Sequence, residues 1–307
     1  MVMYRNVHEL IGSTPLIQLT AFPLPEGVEL YAKLEFMNPG GSVKDRLGQM
    51  LLERALESGR LKPGGTIVEP TAGNTGIGLA LAAVRRGIKT VFVVPEKFSI
   101  EKQRLMRALG SEIVHTPASE GMSGAIRKAE ELAATLPGAY MPGQFTNADN
   151  PLTYYRTLAP EIWGDMDGAL DIFVAGAGSG GTFMGTARYL KERDARVKTV
   201  IVEPEGSILA GGAAGSHRTE GIGVEALAPF MDRSYFDAIH TVKDVDAFAR
   251  VKELALLEGL LVGSSSGAAL HAALAEAAGA KAGSRIVTVF PDSSERYLSK
   301  NIYDGGV

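Results

Sequence analysis

The stretch Asn38-Pro39-Gly40-Gly41-Ser42-Val43-Lys44-Asp45-Arg46 runs a Pro- and Gly-rich turn straight into an amphipathic helix and sets a lysine at the helix start. Ser42 followed three residues later by Asp45 reads as a capping box, which makes Ser42 the expected N-cap and puts Lys44 in the first turn. The positive end of the helix dipole disfavours an ammonium there by roughly 0.3–1 kcal/mol. Partial burial would push the same way, toward a neutral, nucleophilic amine that can form a Schiff base. A solvated helix lysine would be written with the same letters, so the rest of the chain has to decide.

Outward from this turn the chain alternates strand and helix. Before it lie a Gly12-Ser13-Thr14-Pro15 turn and a strand over 29–35; after it the helix stops near Gly59. Strands are then predicted at 66–69, 90–94 and 112–114, with helices at 76–86, 100–109 and 124–135 between and after them. The Asn147-Ala148-Asp149-Asn150-Pro151 break marks a domain boundary. A second set follows: strands at 172–175, 199–202, 260–262 and 285–290, helices at 182–191, 245–257 and 268–278, and a Gly-rich loop from Glu205 to Glu225. The rhythm is βαβ, so the expected fold class is α/β, with mostly parallel sheets covered on both faces.

Composition narrows the function classes. With 307 residues, 45% hydrophobic and 21% charged, the chain is long enough for two domains. A net charge of −4 with no long basic run leaves no electrostatic footprint for nucleic acid or an anionic membrane. Zero cysteines exclude disulfides and thiolate metal ligands, and the first residues lack the apolar core of a signal peptide. No apolar run reaches the ~20 residues that span a bilayer. A cytoplasmic protein acting on small molecules is expected. The five histidines show no metal-ligand spacing, so no metal is expected.

Three strand-to-helix loops carry chemistry. Thr71-Ala72-Gly73-Asn74-Thr75-Gly76 offers hydroxyls, an amide and helix-start N–H groups, a set suited to a carboxylate or a phenolate oxygen. Gly176-Ala177-Gly178-Ser179-Gly180-Gly181-Thr182 forms a phosphate cradle. Its glycines also match G-x-G-x-x-G, with Glu203 standing where a ribose-binding acid would, so an NAD-dependent oxidoreductase is the alternative reading. Gly263-Ser264-Ser265-Ser266-Gly267 fits the hydrolase G-x-S-x-G, but His271 precedes Asp292 and the required order of Ser, acid, His fails. One ligand joins the loops: a phosphate at one end, a ring nitrogen at the other, and an aldehyde that traps a lysine. Pyridoxal 5′-phosphate answers that description, with Lys44 at the aldehyde, 178–182 at the phosphate, Asn74 at the ring hydroxyl and a serine of 264–266 at the ring nitrogen.

Together the segments 38–46, 71–76, 178–182, Gly221-Ile222-Gly223 and 291–298 closely resemble the cysteine synthase (O-acetylserine sulfhydrylase) and cystathionine β-synthase family, in the same order and over nearly the whole chain. The resemblance implies a fold type II pyridoxal-phosphate enzyme, tryptophan synthase β-like, built as two three-layer α/β domains with a complete site between them, and usually a homodimer. It implies a smaller mobile domain over 40–147 and a larger one made of 1–39 plus 148–307. By the same resemblance Lys44 is the Schiff-base lysine and base at Cα. Thr71, Ala72, Gly73, Asn74 and Thr75 with Gln144 take the substrate carboxylate, Gly178, Ser179, Gly180, Gly181 and Thr182 the phosphate, and Ser265 the ring nitrogen. Gly221, Gly223 and Glu225 stand at the mouth of the site. Ala72, where many cysteine synthases carry serine, and Val224-Glu225 after Gly223 look like the bacterial O-acetylserine-dependent cystathionine β-synthases. The implied reaction replaces the β-substituent of O-acetylserine, or serine, by sulfide or homocysteine. Nothing resembles the haem-binding extension or regulatory module of the animal enzymes.

Overall fold

The computed structural model of the protein describes residues 3–96 and 98–304. In chain order, β1 (Leu16–Gln18) and β2 (Glu29–Leu34) precede α1 (Lys44–Glu57), β3 (Thr66–Pro70), α2 (Asn74–Ala83), β4 (Lys89–Pro95) and α3 (Ile100–Ala108). Then come β5 (Glu112–Thr116), α4 (Gly121–Thr135), β6 (Ala139–Tyr140), α5 (Asp149–Arg156), α6 (Leu158–Asp165), β7 (Ile172–Gly176) and α7 (Gly181–Arg193). The series ends with β8 (Lys198–Pro204), β9 (Ala238–Val242), α8 (Asp244–Glu253), α9 (Ser264–Ala278) and β10 (Arg285–Phe290).

The chain forms two compact units, Met1–Ile11 with Asn38–Asn150, and Gly12–Met37 with Pro151–Val307. The start of the chain therefore lies with the first unit, whereas 1–39 was expected in the larger domain. The reason is local: His8 Nε2 bonds the Leu81 carbonyl at the end of α2, at 3.0 Å.

In the first unit four parallel strands stand in the order β5-β4-β3-β6. Val68, Val91 and Val93 pack there against Ala125 and Ala129 of α4. Helix α2 reads apolar all round because every residue after Asn74 is buried. In the second unit the order is β1-β2-β10-β7-β8-β9, parallel throughout except the β1 pairing. Its core joins Leu30, Val174, Val200 and Ile286 to the alanine-rich face of α9. The inner strands β3, β4, β7, β8 and β10 are buried on both faces, which is why they read as short apolar runs.

Four details depart from expectation. Leu260-Leu261-Val262 is no sheet strand; Val262 makes only an isolated bridge to Ser293, because β10 already has β2 and β7 on its two edges. Three short strands, β1, β6 and β9, lacked a readable alternation. The 147–151 break, within which the two units divide between Asn150 and Pro151 as expected, is not a loop throughout but is helical from Asp149. The capping box does not form: Val43 already has helical φ/ψ and caps α1, Ser42 Oγ accepts the Lys44 N–H at 3.3 Å, and the buried Asp45 carboxylate reaches back to the Gly40 N–H instead.

Candidate active site

In the first unit the loop after β3 and the loop after β6 lie on neighbouring parallel strands, so their ends meet at the carboxyl edge of the sheet. The Thr71 N–H is tied to the Val93 carbonyl at 3.1 Å, and Thr71 Oγ1 accepts the Gly73 N–H at 3.2 Å. Extended Gly73 caps α2 with no side-chain acceptor and no acidic residue in the first turn. The helix-start N–H groups at Asn74 and Thr75 are thus disposed toward an anion. Thr75 Oγ1 donates to Gln144 Oε1 at 2.7 Å. That leaves the donor end of the Gln144 amide as what it can offer a carboxylate.

Lys44 joins this group through its helix. A Cβ on Gly78 would lie 2.2 Å from the Lys44 carbonyl oxygen, and one on Gly48 2.1 Å from the Gly78 carbonyl carbon. Only glycines allow α1 and α2 to cross at backbone contact, and the crossing seats half-buried Lys44 beside the helix that begins with Asn74.

Glu69, which the sequence reading passed over, organises the same edge. It is fully buried on β3; Oε2 accepts the Gly143 N–H at 2.8 Å and Oε1 the Gln144 N–H at 3.0 Å. Burial pushes its carboxyl up to about 7, against the pull of the two N–H groups. Buried Asn150 holds the Gln144 carbonyl through Nδ2 at 2.7 Å. A signal was present in the sequence: Ile67-Val68-Glu69-Pro70 is repeated as Ile201-Val202-Glu203-Pro204.

In the second unit β7 runs into the glycine loop. Gly180, at φ +84, caps α7, again with neither a side-chain acceptor nor an acid in the first turn, and Ser179 and Thr182 are buried beside it. The loop is pressed against 221–223: a Cβ on Gly178 would meet the Gly221 carbonyl oxygen at 2.4 Å, and the Gly223 N–H bonds the Ala177 carbonyl at 2.9 Å. Gly221 faces Ser265, whose Oγ lies 3.7 Å from where a Gly221 Cβ would stand. Ser264 Oγ accepts the Glu220 N–H at 3.0 Å, whereas Ser266 Oγ is buried with no hydrogen-bond partner. Glu225 is exposed, two residues beyond Gly223. His217, read as incidental, packs against Gly223, where a Cβ would come within 2.3 Å of its Nε2.

These features fit pyridoxal phosphate. A glycine cradle that a single Cβ would fill, ahead of an uncapped helix start, suits its phosphate, and a buried serine hydroxyl suits its ring nitrogen. They do not fit a dinucleotide. Glu203, the expected ribose acid, is buried, and its carboxylate is spent on the Leu209 N–H at 2.7 Å, the Ala210 N–H at 3.0 Å and the Thr241 hydroxyl at 2.9 Å.

Comparison with known proteins agrees. The sequence profile of "Pyridoxal-phosphate dependent enzyme" matches residues 7–292. The chain is 61% identical over 307 residues, the full length of both proteins, to the O-acetylserine dependent cystathionine beta-synthase of Bacillus subtilis (strain 168). It is 54% identical over 305 residues, 99% of this chain and 100% of the other, to a cysteine synthase of Helicobacter pylori. The crystal structure of O-acetylserine dependent cystathionine beta-synthase from Helicobacter pylori superimposes with a TM-score of 0.95 at 54% identity, covering 99% of this chain and 100% of that one. On these matches the chain belongs to the pyridoxal-phosphate dependent enzyme family.

Proposed function

We propose that the protein replaces the acetoxy group of O-acetyl-L-serine by a thiol, forming L-cystathionine from homocysteine and L-cysteine from sulfide. In each case the Cβ–O bond breaks first and acetate leaves; the thiol then forms the C–S bond at Cβ and gives up its proton. The observation that carries this reading is the seating of the Lys44 backbone against Gly78: it supports a lysine that works with the helix whose start is disposed toward a carboxylate. Resemblance over the full length to O-acetylserine-dependent enzymes supports the choice of donor.

Pyridoxal phosphate, when bound, supplies the electron sink that makes the Cα proton of an amino acid removable. Lys44 would hold the cofactor by its aldehyde and would serve as the base that takes the Cα proton through Nζ and later returns it. Thr71, Ala72, Gly73, Asn74 and Thr75, with Gln144, orient the substrate by its carboxylate so that the Cα–H bond meets that base. The Gly178 to Thr182 segment would hold the phosphate by its N–H groups. Ser265 would offer the ring nitrogen a hydroxyl, a weak proton donor, which would favour loss of the β-substituent over transamination. Glu225 is the group that meets homocysteine. A homodimer in the cytosol is the expected state; among the described residues no helix is long and apolar enough to cross a membrane.

Steady-state assays of O-acetylserine and serine against sulfide and homocysteine test the proposal. Turnover with O-acetylserine and either thiol is expected, and Lys44→Ala should lower it by about 10³-fold, within the range for a lost general base. Absence of turnover with every pair, in protein that carries the yellow cofactor, overturns it.

A further inference from the structure

A carboxylate that is fully buried, far from water, costs more than a neutral acceptor in the same place, so its retention asks for a reason. Glu69 is such a group. The influences on its carboxyl are burial and the two N–H groups of Gly143 and Gln144, with no cation among them. Both oxygens are spent on consecutive N–H groups of one loop, bonds that become charge-assisted, and about twice as strong as neutral ones, once the carboxyl loses its proton. The loop so held carries the Gln144 side chain, whose Oε1 receives the Thr75 hydroxyl. A relay runs from Glu69 through the 143–144 backbone and Gln144 to Thr75 in the carboxylate loop. The second unit uses the same device with the same tetrapeptide: Glu203 accepts the consecutive N–H groups of Leu209 and Ala210.

We propose that Glu69 is a positioning residue for the donor amino acid: by pinning the Gly143 and Gln144 N–H groups it fixes Gln144 against Thr75 and pre-forms the loop that receives the substrate carboxylate. The inference rests on the reaction proposed above. Pre-forming that loop removes an ordering cost from substrate binding. It contributes little to the Cα chemistry, which Lys44 carries out.

Glu69→Gln keeps the shape but turns one acceptor into an NH₂ group that faces a backbone N–H, so one of the two anchors is lost. In the variant the KM for O-acetylserine should rise about tenfold and kcat stay within about twofold, the signature of lost binding rather than lost chemistry. Cofactor content and visible absorbance without substrate should be those of the wild type. An unchanged KM, or kcat and cofactor content falling together, overturns the proposal.

A second measurement uses the wild type and is independent of how the variant folds. L-alanine offers the carboxylate but no leaving group. Added to the holoenzyme, it should slow hydrogen exchange at the Gly143 and Gln144 amides by about tenfold, as expected when a ligand suppresses local opening. No slowing overturns the proposal. A wild type that turns over no donor–thiol pair indicts the reaction instead, whereas normal turnover with an unchanged KM in Glu69→Gln indicts Glu69 alone.

Discussion

Gly48 and Gly78 face each other where α1 crosses α2, so close that a Cβ on either would enter the backbone of the opposite helix. The contact fixes Lys44 relative to the start of α2 without using any side chain of the site. Small residues at a crossing trade helix propensity for proximity: each glycine costs up to about 1 kcal/mol against alanine in a helix interior.

Gly78→Ala should therefore destabilise the protein, although alanine is the better helix former. Overpacking costs about 1–3 kcal/mol and outweighs the propensity gain. Turnover should fall as well, because the new methyl would press on the Lys44 carbonyl. Gly164→Ala in α6 is the control, since its Cβ would meet nothing within 4 Å. Denaturant unfolding should show a loss for the first variant and none for the second; equal midpoints would refute the packing account.

Gly178→Ala tests the proposed phosphate cradle. Its methyl would fall 2.4 Å from the Gly221 carbonyl oxygen, and neither loop backbone can yield without disturbing the Gly223-to-Ala177 hydrogen bond. Affinity for pyridoxal phosphate should drop by at least about tenfold, equivalent to 1.4 kcal/mol, when apoprotein is titrated and followed by visible absorbance. Wild-type affinity would mean that the 178–182 segment does not hold the phosphate.

Glu69 makes stability depend on pH in a definite direction. Its folded-state pKa, about 7, lies above the ordinary 4.5, so the folded protein keeps a proton that the unfolded chain has released. The stability it contributes is full below about 4.5 and is lost as pH rises through about 7. Tyr140, the titratable neighbour that senses Glu69, has its own pKa raised by burial and keeps its proton throughout that window. Glu69→Gln should thus gain stability relative to wild type between pH 4.5 and 7 and change no further above it. A wild-type-to-variant difference that is the same at pH 5 and pH 8, measured by urea unfolding, sinks this account.

Glu225 is exposed, which limits what it can do for an incoming ammonium to about 1 kcal/mol or less. Glu225→Gln should raise the KM for homocysteine by no more than about fivefold and leave cysteine formation from sulfide unaltered, since sulfide carries no ammonium for a carboxylate to hold. A parallel fall of both activities would assign Glu225 to the architecture of the loop and not to acceptor choice.

The sequence by itself determined the alternation of strand and helix, because strands buried on both faces of a parallel sheet must be apolar runs, and Gly-rich loops must follow them where ligands bind. It also offered Lys44 and the loops at 71–76 and 178–182 as candidates, because the chemistry proposed for them lies in consecutive residues. Short edge strands such as β9 (Ala238–Val242) stayed hidden, since a half-exposed edge carries polar residues such as His240 and Thr241 that blur the pattern. Leu260-Leu261-Val262 misled for the opposite reason: it is apolar enough for a strand, yet β10 was already paired on both edges. Only the tertiary structure could decide what Glu69 does. Its partners lie 74 and 75 residues away, brought within hydrogen-bond reach by the pairing of β3 with β6. A buried carboxylate read in sequence has no partner until the sheet has formed, because hydrogen bonds between strand-end loops depend on strand order and not on chain order.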